Sequence, residues 1–362
     1  MRILVFFIIL YLSTLITNSY SDISDVVGIN FTYQWPQIFL LFIGFYLIQK
    51  RKKYDNKSNS NLQWCIPLAK FSLIISFVIL VLTFNISGRD EKLHEISSNL
   101  LLYYLSITGS GIIMVIISAL LQPTTINLSK RTFFYIISSI LFFSLTNLSR
   151  TLAFYFLIAI LIAKIHLDMP KRKIISLSLV LVICMIVMPI LQGRTDNIYG
   201  AVERSILNII FYISYSFYLG DHLINQGGLS GISWGYFGYL FTKLINEPLD
   251  SNIFFDQKLL YEFVNIGTSD LYGSLNANVM YPLWATVYYD YGNYSFIFYI
   301  ALFLFIIFTY KFNLTLLFSW LYFRFVVIGF LVSPLLLRDM IIETIIVFIV
   351  QFYIIHKKTN EN

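Results

Sequence analysis

Charge is scarce in this chain. Only 12% of its 362 residues are Asp, Glu, Lys or Arg, against about 25% in a soluble domain. With 58% hydrophobic residues and a mean hydropathy of +0.75, it has too little polar surface to cover itself in water. That excludes a soluble globular enzyme and makes lipid the expected solvent. Cysteine is nearly absent, and Cys65 and Cys184 lie at or inside apolar segments, with neither metal-ligand spacing nor a disulfide framework. Histidine is as scarce. His94, His166, His222 and His356 have no histidine three or four residues away, which argues against a zinc enzyme. The sequence carries no nucleotide-binding glycine loop, nucleophile elbow or metalloprotease helix. Cytoplasmic ATP is therefore not indicated, and neither a metal nor a cofactor is expected. The net charge of +6 does not point to nucleic acid, because the cations flank apolar runs as membrane orientation requires.

Aromatic residues are abundant, with 26 Tyr and 34 Phe, as an interfacial belt would need. A helix crossing hydrocarbon takes about 20 apolar residues. Runs of that kind place spans near 3–18, 33–49, 66–84, 100–121, 132–147, 151–167, 174–191, 293–310, 313–335 and 340–355. The first follows Arg2 and resembles a signal peptide, but its cleavage context is weak and a retained anchor is expected. The apolar stretch over 132–167 is too long for one crossing. Its polar interruption, Ser144 to Arg150, predicts two helices meeting at an outward turn.

Lysine and arginine set the orientation. With the N-terminus inside, the clusters Lys50–Lys53, Lys130–Arg131 and Lys171–Lys173, with Lys311, Lys357 and Lys358, all fall on the cytoplasmic side. The expected fold is an all-α integral membrane protein of about ten transmembrane helices, with both termini cytoplasmic. Residues 1–191 hold helices one to seven. Residues 192–290 form one large outward loop, and 291–362 hold the last three helices and a short tail.

The inward cations are mostly lysine, whereas the outward ones are mostly arginine: Arg89, Arg150, Arg194, Arg204 and Arg338. A guanidinium offers a planar fork that grips phosphate at two points, which a lysine point charge cannot do. Arg150, Arg194 and Arg338 each sit where a span meets the outer face, a depth at which charges face a bundle interior or a wet cavity. Together they predict an outward cavity that holds an anionic headgroup. The plainer alternative is that each snorkels to lipid phosphate or pairs with a nearby acid, Arg194 with Asp196 and Arg338 with Asp339. Glu343, about a turn inside the last span, is expected to pair with Arg338, and Arg324 in the ninth span is expected to partner a buried acid.

The loop over 192–290 is too long to be a simple connector. Residues 198–219 read as an amphipathic, interface-lying helix, followed by a glycine-rich turn from Gly227 and an aromatic run from Trp234 to Phe241. Such a surface suits sugar rings and a lipid carrier, with plain packing as the default for most of its aromatics. His222 follows Asp221 at the end of that helix.

Three stretches carry a resemblance to the Wzy-type O-antigen and capsular repeat-unit polymerases. They are Leu148-Ser149-Arg150-Thr151 between two spans, the run from Asn276-Ala277-Asn278 to Tyr288-Tyr289-Asp290-Tyr291-Gly292 after the large loop, and Ser333-Pro334 followed by Arg338 in the last outward turn. The likeness spans essentially the whole chain and rests on topology more than on any one motif. It implies a GT-C-like polymerase or ligase architecture, the loop being periplasmic, in the bacterial inner membrane. It also implies the chemistry. A glycan on undecaprenyl pyrophosphate is the donor, a hydroxyl of an incoming lipid-linked repeat unit is the acceptor, and undecaprenyl pyrophosphate leaves. Expected partners are those glycans, membrane lipids and a chain-length regulator. Under this reading Arg150, Arg194 and Arg338 hold the pyrophosphate, while Arg204, Arg89, Tyr289 and His222 bind substrate. Asp196 or Asp290 is the candidate base. Asp290 can equally be a device at the N-terminus of the eighth span. O-antigen ligases share the architecture but tend to carry a loop histidine, for which His222 is the occupant here. A lipid-glycan flippase would have more spans and internal repeats. An acyltransferase would need a cytoplasmic motif, for which His166 and Asp168 have no clear partner.

Overall fold

A computed structural model of the chain describes residues 2–19, 27–54, 59–86, 89–123, 125–147, 149–163, 165–167, 179, 182–183, 186–187, 190–191, 197–225, 264–269, 273–277, 281–337 and 339–361. Their order is α1 (Arg2–Ser19), α2 (Val27–Tyr54), β1 (Asn59–Asn61), α3 (Cys65–Leu82), α4 (Arg89–Ser98), α5 (Leu100–Ala119), β2 (Thr125–Leu128), α6 (Lys130–Thr146), α7 (Thr151–Ile162), β3 (Ile165–Leu167) and α8 (Ile198–Asn225). After them come β4 (Val264–Ser269), β5 (Gly273–Ala277), α9 (Leu283–Tyr291), α10 (Ser295–Lys311), α11 (Thr315–Leu321) and α12 (Asp339–Glu361). Among the described residues four helical stretches are long and apolar enough to cross a membrane: Cys65–Leu82, Leu100–Ala119, Leu283–Lys311 and Asp339–His356. Shorter apolar helices cover Ile8–Thr17, Thr151–Ile162 and Thr315–Phe330. The mostly helical chain thus has the character of an all-α membrane protein. The span expected over 174–191 lies largely outside the described residues.

Two compact units divide the chain. One comprises residues 48–207, 315–320 and 339–362. Its helix α3 shows why lipid is the natural surroundings. Phe71, Ile74, Phe77 and Val81 form a bulky exposed stripe, while Ala69, Ser72, Ser76 and Ile79 face inward. A helix apolar on both faces, with its small residues inward, packs helix to helix inside and meets acyl chains outside. Close approach is then sealed by hydroxyls. Ser72 donates to the Gly109 carbonyl (3.2 Å) and Thr146 to that of Ser76 (3.0 Å). Helix α6 starts on a Ser129 cap, whose hydroxyl accepts from the Thr132 N–H. The chain leaves helix after Thr146 and resumes at Thr151, so the long apolar stretch over 132–167 does break into two helices at its polar interruption.

Sequence patterning did not anticipate a small parallel sheet in the same unit. Asn59–Asn61 pairs with Thr125–Asn127, and Ile126–Leu128 pairs with Ile165–Leu167. These strands belong to the connections after α2, α5 and α7, so the sheet gathers three loops at one end of this unit's helices. Three residues per strand carry too weak a periodic signal to be read in advance.

Helix α12 contributes two buried polar anchors. Gln351 Oε1 accepts from the backbone N–H groups of Leu316 and Leu317, capping α11 from another helix. Glu343, fully buried, accepts from the Trp320 indole N–H at 3.1 Å. The expected partner Arg338 lies outside the described residues. Gln351→Leu should leave two buried N–H donors unmatched, at about 1–3 kcal/mol each, and lower the melting temperature in detergent. Gln351→Glu, which keeps an acceptor at a helix N-terminus, should melt close to wild type.

The other unit comprises residues 1–47, 208–314 and 321–338. Tyr11 on α1 donates to Gln34 Oε1 (2.7 Å), Thr17 shares a hydrogen bond with Ser214 on α8 (2.7 Å), and Phe39 meets Phe303 on α10. The span expected over 313–335 is not one regular helix. After Leu321 it widens into a π-helical turn over Tyr322–Val327 and then tightens into a 3-10 turn over Ile328–Phe330. The Gln37 amide donates to the Phe325 and Val326 carbonyls (3.2 and 3.1 Å), which meets the acceptors such a register change exposes. Arg324 sits on this π turn and is 1% exposed.

Candidate functional site

Arg150 is the one arginine of the expected trio whose side chain is described. It occupies the N-cap position of α7, is half-buried and makes no side-chain capping bond to its own helix. Its Nη1 instead approaches Ser205 Oγ at 3.5 Å, the long limit for a hydrogen bond. Ser205 lies near the start of α8 and next to Arg204, so the first motif stretch meets the helix that opens the large loop.

In the other unit the second and third motif stretches come together. Ser333 donates its backbone N–H to the Tyr281 carbonyl (2.7 Å), and the Thr286 hydroxyl donates to Ser333 Oγ (3.1 Å). The turn that follows the π segment is thereby fastened to the start of α9. Pro282 begins α9 as its N-cap, and Gly292 ends it with φ +54 and ψ −128, a backbone conformation open to glycine and costly for any other residue. The glycine of the aromatic-Asp-aromatic-Gly signature is thus the point where α9 breaks into the 3-10 turn over Gly292–Tyr294 that leads to α10. Asp290 is fully buried in the last turn of α9 and does not head α10, whose N-cap is Tyr294. A carboxylate at a helix C-terminus gains nothing from the dipole, so the alternative that made Asp290 an N-terminal device does not fit its position.

The C-terminal end of α8 packs beside α9. A Cβ on Gly220 would stand 2.2 Å from the Trp284 ring, so only glycine permits this contact, and Phe217 meets the same indole with ring centroids 6.5 Å apart. Next along α8, Asp221 Oδ2 accepts from Asn225 at 2.9 Å. Burial raises the Asp221 carboxyl above the ordinary carboxylate range, against the opposing pull of the Asn225 hydrogen bond and His222. Tyr33 of α2 packs on Tyr288, with centroids 4.5 Å apart, hydrogen-bonds it, and lies within electrostatic reach of Asp221.

The expected site residues thus divide. Arg150 touches the loop helix. Asp290, Tyr289 and His222 belong to the unit that holds the second and third motifs, Asp290 buried and the other two half-buried. Arg194, Asp196 and Arg338 lie outside the described residues, and only the backbone of Arg89 and Arg204 is described. Among the described residues no cluster of three metal-ligating side chains occurs. Sequence reading passed over Tyr33, Gln34 and Gln37. Two glutamines three residues apart in an otherwise apolar span were the signal available. No family model, curated protein or solved structure matches this chain.

Proposed function

We propose that this chain is a metal-independent membrane glycosyltransferase that polymerises undecaprenyl-pyrophosphate-linked oligosaccharide repeat units at the periplasmic face of a bacterial inner membrane, for O-antigen or capsule. The proposal includes about ten spans with cytoplasmic termini and a periplasmic loop over 192–290. The observation that carries it is the fastening of two separate motif stretches, 281–292 and 333–336, through Ser333 to Tyr281 and Thr286. Charge patterning assigns both to the outer side. The parallel sheet adds support, since the loops after α2, α5 and α7 are those that the positive residues assign to the inside.

The chemistry follows from the side chains. When the anomeric C–O bond of the donor breaks, its electron pair goes to the pyrophosphate. The additional negative charge that develops on its terminal phosphate must then be met by donors already in place. Arg150, Arg194 and Arg338 are proposed for that task, with Arg204 and Arg89 beside them. A carboxylate, Asp196 or Asp290, takes the proton from the acceptor hydroxyl as the new glycosidic bond forms. Tyr289 and His222 contact the sugars.

Purified protein given lipid-linked repeat units in detergent should build a ladder of products with no second protein present. A deletion strain should accumulate a single repeat unit capped on its lipid. Loss of even that unit would indicate a ligase or flippase and end the polymerase reading.

A further inference from the structure

Beside the motif residues, the unit that holds α2, α9 and the end of α8 contains a second polar group. Gln34, Gln37 and Trp284 are 0%, 0% and 1% exposed. Gln34 Nε2, Gln37 Oε1, Trp284 Nε1 and Asp221 Oδ1 are buried atoms with no hydrogen-bond partner among the described residues. Leaving such groups unmatched costs about 1–3 kcal/mol each, so a ligand that meets them gains by binding here.

Their surroundings overlap. Tyr33, beside Gln34, bonds Tyr288 and faces the charge of Asp221. Trp284 is one helical turn before Tyr288 and covers Gly220, the neighbour of Asp221. Gln37 approaches Gly329, which also borders Leu283 beside Trp284. The unmatched set is two donors and two acceptors, flanked by the rings of Tyr33, Tyr288 and Trp284. An anion would want cations, and these side chains supply none. A metal ion would want several oxygens, and half of these groups are N–H donors. An acyl chain would use neither kind. Sugar hydroxyls both donate and accept, and the C–H face of a pyranose stacks on aromatic rings.

We propose that Asp221, Trp284, Gln34 and Gln37 form a saccharide subsite that seats one ring of the acceptor repeat unit, with Asp221 accepting from a sugar hydroxyl. The proposal rests on the polymerase reading and names the group that selects its acceptor. It is tested by elongation with purified protein in which acceptor and donor concentrations are varied separately. Asp221→Asn removes the charge at constant shape, and Trp284→Phe removes the N–H while keeping an aromatic ring. Each should raise the acceptor KM about tenfold, leave the donor KM unchanged and alter kcat by less than about threefold. Wild-type acceptor KM in both variants would overturn the subsite while leaving the polymerase standing. If wild-type protein elongates nothing, the polymerase reading falls, and binding of the lipid-free repeat-unit oligosaccharide, followed by tryptophan fluorescence, decides the subsite. Binding by wild type that Asp221→Asn abolishes upholds it, and no binding by wild type ends it. If Asp221→Asn melts early, Trp284→Phe decides the matter alone.

Discussion

Replacing Arg150 by lysine is expected to collapse the polymer ladder to one or a few repeat units while the protein inserts normally. Arg150 holds the N-cap position of α7 with no side-chain capping bond to that helix, so α7 does not depend on this side chain for its cap. What changes is shape. The guanidinium reaches Ser205 with one nitrogen and carries its N–H groups in a fixed planar fork, whereas an ammonium is a single point charge. If the fork meets charge developing on pyrophosphate, its loss should slow elongation on the order of 10²–10³-fold, the usual cost of removing one preorganised donor. Arg338→Lys should act in the same direction. The readout is a gel ladder alongside membrane abundance of each variant. A wild-type ladder from Arg150→Lys would sink the bidentate grip.

Gly44→Ala should be among the most destabilising small changes in the chain. A Cβ there would stand 2.2 and 2.3 Å from two carbons of the Tyr322 ring. That ring cannot swing away. It is fully buried, and its hydroxyl donates to the Leu41 carbonyl at 2.8 Å, one turn earlier on the same helix as Gly44. Relief requires α2 and the π turn to separate, which also strains the two Gln37 bonds to Phe325 and Val326. Overpacking costs about 1–3 kcal/mol, and a broken buried hydrogen bond adds about 1–3 kcal/mol. The expected result is a clear fall in melting temperature in detergent. Tyr322→Leu, which trims the ring, should make Gly44→Ala much less harmful in the double variant than alone. Unchanged melting of Gly44→Ala would show that the ring has room to move.

Much of the architecture was legible because membrane helices obey a one-dimensional rule. Apolar length and flanking lysines mark them without reference to any partner. The stretches over 66–84, 100–121 and 340–355 are helices in the structure, and the polar run Ser144–Arg150 does mark a break. Elsewhere the rule fails for local reasons. The apolar run over 313–335 meets the length requirement, yet it changes register over Tyr322–Val327, where Gln37 of α2 takes the Phe325 and Val326 carbonyls. Hydropathy is blind to that contact.

The candidate site divides along the same line. The arginines at the ends of apolar runs and the aromatic-Asp-aromatic-Gly stretch could be picked out from residue type and position alone. That Gly292 interrupts the helix, that Asp290 closes a helix rather than opening one, and that Ser333 fastens to Tyr281 follow from backbone geometry no pattern encodes.

Taken by itself, the sequence determined that this chain belongs in lipid, because no packing could hide 58% hydrophobic residues behind 12% charged ones. Only the tertiary structure decided which polar groups meet. Tyr33, Asp221, Trp284 and Tyr288 come from three helices far apart in the chain, and long-range neighbours of that kind are set by helix packing rather than by periodicity.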